Sequence, residues 1–124
     1  MNKKTVLVIE DSPYLAESLV DMMNIKGHGA LVAATGREGI RMAIEEKPDL
    51  VLLDIRLPDI DGYEVYQAIR QDSWGKNASI MVLTASESAK NIMKNIDLPD
   101  EKILYKPEWS AQDLVAKIDS VLRG

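Results

Sequence analysis

Along this chain of 124 residues, short unbroken apolar runs alternate with longer stretches in which apolar positions recur every three or four residues. An unbroken apolar run of about five residues is how a strand buried on both faces reads, while the longer recurrence marks a helix with one buried face. Five runs predict strands: "TVLVIE" (5–10), "GALVAAT" (29–35), "DLVLLD" (49–54), "ASIMVLTA" (78–85) and "KILYKP" (102–107). After the first, Ser12 and Pro13 form an N-cap and first-turn pair. They open a helix that keeps Leu15, Leu19, Met22 and Met23 on one face and stops at Gly27. "GREGIRMAIEEKP" (36–48) predicts a second helix with Ile40, Ala43 and Ile44 inward and Pro48 as its stop. A third begins near Gly62 with Val65, Ala68 and Ile69 inward, and "SESAKNIMKNI" (86–96) predicts a fourth. The last, "SAQDLVAKIDSVL" (110–122), carries Ser110 and Asp113 at capping-box spacing. Trp74, in polar surroundings, is expected to cover a loop, the methionines to fill core space, and His28 to be an ordinary turn residue.

Strand and helix in strict alternation predict an α/β protein: one parallel sheet, doubly wound, with helices on both faces. For five strands the common order is 2-1-3-4-5. The first and third strands then lie side by side at the switch point, where ligands bind at the carboxyl ends of the strands. The length suits one domain, so residues 1–124 are expected to form a single domain with no output domain.

Charge and composition narrow the chemistry. Fifteen Lys and Arg against twenty Asp and Glu leave a net charge of −5, which gives no electrostatic reason to bind nucleic acid or an anionic membrane. With no cysteine, disulfides, thiolate catalysis and cysteine-ligated metals are excluded. The N-terminal "MNKKTVLVIED" lacks the pattern of a signal peptide or membrane span, so a cytoplasmic location is expected.

Polar residues gather where the predicted strands end. Glu10 and Asp11 close the first, Asp54 the third, Thr84 the fourth, and Lys106 and Pro107 the fifth. Taken singly, a strand-end acid is an ordinary helix cap, a threonine an ordinary hydroxyl and a lysine a solvated charge. In the predicted topology all of them open onto one crevice. Three carboxylates with no arginine in the adjacent turns repel one another unless a cation joins them, and an all-oxygen donor set fits a hard ion such as Mg²⁺.

The segments "VLVIEDS", "LVLLDIRLPDIDG", "IMVLTAS" and "LYKP" together resemble the receiver domain of two-component response regulators, a flavodoxin-like fold, over nearly the whole chain. Pro58, Asp61 and Gly62 match the family's Pro-x-x-Asp-Gly loop. The resemblance implies a regulator similar to those of chemotaxis, either stand-alone or a fragment of something longer, in which Asp54 accepts a phosphoryl group from the phosphohistidine of a histidine kinase or phosphotransfer protein. It implies Mg²⁺, with Mn²⁺ as a substitute, held by Asp11, Asp54 and the backbone carbonyl of Arg56, with Glu10 acting through water. Lys106 and Thr84 would take phosphoryl oxygens, and the protein would assist its own phosphorylation and dephosphorylation without being an enzyme in the usual sense. The family's Lys-Pro bond is commonly cis, so Lys106–Pro107 is expected to be cis. Ile103 stands where the family carries a switching aromatic, and Tyr105, two residues on, shares its face. Thr84, Ile103 and Tyr105 are therefore the expected switch. The resemblance further implies a downstream protein docking on the predicted fourth helix, fifth strand and last helix, no direct nucleic-acid or membrane partner, and a monomer or phosphorylation-dependent dimer. A haloacid-dehalogenase-type hydrolase wants Asp-x-Asp after the first strand, where this chain has Glu10-Asp11-Ser12. An FMN carrier wants a hydroxyl- and glycine-rich phosphate loop, which "EDSPYLAE" is not.

Overall fold

The computed structural model describes residues 3–85 and 98–124; the predicted fourth helix, 86–96, lies outside the described residues. Five strands, β1 (Thr5–Ile9), β2 (Gly29–Ala33), β3 (Leu50–Asp54), β4 (Ile80–Thr84) and β5 (Ile103–Tyr105), form one sheet in the order β2-β1-β3-β4-β5. Every pairing is parallel. The described helices are α1 (Pro13–Ile25), α2 (Gly36–Glu46), α3 (Gly62–Gln71) and α4 (Ala111–Arg123). The α/β class and the strand order are those the apolar pattern predicts. Among the described residues, no helix is long and apolar enough to cross a membrane.

Side chains alternate across each strand, so the sheet builds two cores. Leu7, Ile9, Val51, Leu53, Val82 and Ile103 face one way and pack with Ala43 of α2 and Val65, Tyr66 and Ile69 of α3. Val6, Val8, Leu50, Leu52, Leu83 and Leu104 face the other way, against Leu19 and Met23 of α1 and Leu114, Val115 and Ile118 of α4. Each fully buried Leu, Ile or Val stabilises the fold by about 1.5–3 kcal/mol over leaving it exposed. That is why β3 and β4 carry no polar residue before their last, and β1 none after Thr5.

The inward faces differ in detail from the sequence reading. Ala16 lies buried in α1 where Leu15 and Met22 are only partly so, and in α3 the inward residue is Tyr66 in place of Ala68. In α2 the buried positions are Gly36, Gly39 and Ala43, with Gly36 close on Ile60 and Val65 and Gly39 close on Ile9 of β1; Ile40 packs at the margin of that core. The capping box of Ser110 and Asp113 forms as its spacing predicts. His28 is not an ordinary turn residue: it is buried, and its Nε2 meets Asp119 Oδ1 of α4 at 2.8 Å.

Candidate functional site

The site grows from the register of the central strands. Ile9 of β1 pairs with Leu53 of β3, so the next residues, Glu10 and Asp54, lie side by side at the carboxyl edge of the sheet. Both continue the face of Val8 and Leu52, and both are buried, at 2% and 3% exposure. Asp11 follows in solvent. One carboxylate oxygen from each of Glu10, Asp11 and Asp54 lies within 4.8 Å of the other two.

The edge strand, two places from β3, supplies the opposite charge. Lys106, one residue beyond β5, donates from Nζ to Asp54 Oδ2 at 2.9 Å and to Glu10 Oε2 and Oε1 at 3.2 and 3.3 Å. Backbone amides complete the set: Arg56 donates to Asp54 Oδ1 at 3.0 Å and Ser12 to Glu10 Oε1 at 3.1 Å. These residues line a cavity of about 380 Å³ together with Leu57, Pro58 and Ala85. Burial, followed by the adjacent Asp54, pushes the Glu10 carboxyl up to about 7 against the pull of the Ser12 amide and Lys106. Burial alone would lower the Lys106 ammonium, but the hydrogen bond and charge of Asp54, with Glu10 behind it, hold it above the usual lysine value.

The loop from β3 to α3 closes the site's rim. Gly62 donates its N–H to the Ile55 carbonyl at 2.8 Å, and a Cβ there would stand 2.6 Å from Ile55 Cα and 2.9 Å from the Asp54 carbonyl oxygen. Only glycine allows that return. Asp61 caps α3 by accepting from the Glu64 N–H at 2.9 Å.

The structure thus brings Glu10, Asp11, Asp54, Arg56 and Lys106 together. Thr84 is not in that group. It pairs with Tyr105, shares the face of Val82 and Ile103, is exposed to only 1%, and does not line the cavity, where Ala85 takes its place. Ile103, Tyr105 and Thr84 form a separate line along β4 and β5, on the side of α2 and α3. The expected cis bond at Lys106–Pro107 is not found: no cis peptide occurs among the described residues. The chain instead enters a short 3₁₀ turn, Lys106–Glu108, closed by the Trp109 N–H on the Lys106 carbonyl at 3.1 Å. Proline's fixed φ suits the first turn of a helix, so a trans bond bends the chain while the lysine reaches Asp54 through its own length.

Sequence reading missed Asp59, whose carboxylate accepts from the backbone N–H groups of Gly36 at 2.7 Å and Arg37 at 2.9 Å. No local pattern could have exposed it, because its partners lie 23 and 22 positions away.

The donor set fits a hard divalent ion: it is all oxygen, convergent, partly exposed on the Asp11 side, and two of its three acids already share one cationic group. A buried carboxylate flanked by two further acids and a lysine thus stands at the carboxyl ends of parallel strands. The response regulator receiver domain family matches residues 6–119, and the chain belongs to that family. A probable transcriptional regulator, ycf27 of Porphyridium aerugineum, is 34% identical over 123 residues, covering 99% of this chain and 50% of that protein. The DNA-binding dual master transcriptional regulator RpaA of a Synechocystis strain is 27% identical over 118 residues, covering 95% of this chain and 48% of that protein. The chemotaxis response regulator CheY4 of Vibrio cholerae shares the fold with a TM-score of 0.84 at 22% identity, over 97% of this chain and 99% of that one.

The chain therefore spans about half the length of these curated relatives. The expectation that nucleic acid is excluded as a partner is overturned by those relatives, ycf27 being named a probable transcriptional regulator and RpaA a DNA-binding one. A charge of −5 summed over these 124 residues does not describe surfaces that the relatives carry in their other half.

Proposed function

We propose that Asp54 accepts a phosphoryl group from the phosphohistidine of a histidine kinase. The carrying observation is its carboxylate, buried at a strand end yet opening onto a cavity, with Lys106 2.9 Å from Oδ2 and Glu10 and Asp11 beside it. An Asp54 oxygen attacks phosphorus, the P–N bond breaks, the electron pair returns to the imidazole, and an acyl phosphate results. Because phosphoryl transfer has a loose transition state, positioning and charge do most of the work. Lys106 meets the growing charge on a phosphoryl oxygen, and the Arg56 amide orients Asp54. When bound, Mg²⁺ held by Asp11, Asp54 and the Arg56 carbonyl, with Glu10 through water, supplies the positive charge that lets an anionic phosphoryl group approach three acids. The same groups assist hydrolysis of the acyl phosphate. We assign the activity to the cytoplasm and its output to control of transcription, the latter in keeping with the names of its relatives.

Acetyl phosphate with Mg²⁺ should add one phosphoryl group, read by intact mass, and Asp54→Asn should add none; equal labelling of both proteins refutes the assignment. For the response, the proposed relay runs from Thr84 through its register partner Tyr105. Beryllofluoride should change Trp109 emission in a Trp74→Phe background, and Tyr105→Ala should remove that change. A full response in Tyr105→Ala that is lost in Ile103→Ala assigns the relay to Ile103 instead.

A further inference from the structure

The loop of residues 55–61 carries two acids two positions apart, and they grip different helices. Asp61 caps α3, the helix it leads into. Asp59 reaches back to α2, taking the Gly36 amide on Oδ1 at 2.7 Å and the Arg37 amide on Oδ2 at 2.9 Å, with Arg37 Nε at 3.8 Å. Its side chain is 24% exposed. Between them Ile60 packs against the α2–α3 core, and a Cβ on Gly36 would stand 2.5 Å from it. The helix does not need Asp59 for its own cap, because Thr35 already accepts the Glu38 N–H at 3.2 Å. Asp59 takes two amides that Thr35 leaves open. Its carboxyl is held below the usual aspartate value, first by the Arg37 amide, with Gly36 also contributing.

We propose that Asp59 is a positioning residue: it clips the loop bearing Arg56 to the N-terminus of α2, and so sets the affinity of the site for Mg²⁺. The inference rests on the metal site described above. A side-chain ligand adjusts by rotating, whereas a backbone carbonyl moves only with its loop. The Arg56 backbone would have two duties: its N–H donates to Asp54 Oδ1 at 3.0 Å, and its carbonyl is the group that would hold the ion. Three residues downstream, Asp59 ties that loop to a helix outside the cavity.

Calorimetric Mg²⁺ titration of the full chain tests this in wild type, Asp59→Ala, Asp59→Asn and Thr35→Ala. Groups that orient metal ligands typically cost about tenfold or more in affinity when removed. Asp59→Ala should weaken Mg²⁺ by about that factor, and Asp59→Asn, which keeps one acceptor oxygen, by less. Labelling of Asp59→Ala by acetyl phosphate should be slow at limiting Mg²⁺ and recover at saturation, and the Gly36 and Arg37 amides should exchange faster without any metal. Thr35→Ala weakens the same helix end without touching the loop and should leave Mg²⁺ affinity unchanged. Wild-type affinity in folded Asp59→Ala and Asp59→Asn overturns the clip alone, as does an equal loss in Thr35→Ala. A wild-type protein that binds no Mg²⁺ overturns both the clip and the metal site.

Discussion

At the scale of single residues, the site is a small problem in electrostatics. Two buried carboxylates, Glu10 and Asp54, share one ammonium, and the third, Asp11, stays in water. Removing the shared cation leaves hydrogen-bonding charges buried without their partner, which costs on the order of 1–3 kcal/mol. Lys106→Ala should therefore lower metal-free stability by about that amount in urea unfolding. It should also show a larger rise in melting temperature with Mg²⁺ than wild type, since the ion would then replace a lost charge. An equal rise in both proteins would mean that lysine and metal serve different groups. Glu10, Asp54 and Lys106 were legible in the sequence because each stands where an apolar run stops, and the end of a run is local information. Asp59 and His28 were not, because their roles lie in partners far along the chain.

At the scale of elements, what matters is how helices are tied to strands. The turn before β2 is joined to α4 through His28 Nε2 and Asp119 Oδ1, and Asp119 Oδ2 also accepts from Arg123 at 2.8 Å. His28, then Arg123, with Lys26 nearby, hold the Asp119 carboxyl below the usual aspartate value. A carboxyl with a depressed folded-state value contributes stability that is fully present above its unfolded value and is lost as pH falls through the folded one. Wild type should accordingly lose stability through this pair on acidification below the ordinary aspartate range, whereas Asp119→Asn should be less stable near neutrality and show a shallower acid limb. Parallel acid limbs in the two proteins would contradict the assignment. The paired register of Thr84 with Tyr105 is likewise a property of two elements. The two-residue period put Tyr105 on the face of Ile103; which strand residue it meets depended on pairing.

At the scale of the whole molecule, a ligand that binds only the folded chain raises its stability, by about 1.4 kcal/mol at tenfold its Kd. For a domain of this size that is about 5 °C in melting temperature. Mg²⁺ should produce such a rise in thermal scans and EDTA should reverse it. Asp11→Ala should abolish it, and a rise that persists there would be a general salt effect. The sequence by itself determined the α/β class, the number of strands, the carboxyl-end location of the site and most of its acids. It could do so because burial on two faces demands unbroken apolar runs, and chain connectivity leaves few ways to arrange parallel βα units. Only the tertiary structure decided that Lys106 joins Glu10 to Asp54, that Thr84 lies on the opposite face from them, that Lys106–Pro107 is trans, and that Asp59 grips α2. Those outcomes depend on which distant groups the packed elements bring within about 3 Å, and a hydrogen bond forms only where that packing already supplies the distance and the angle.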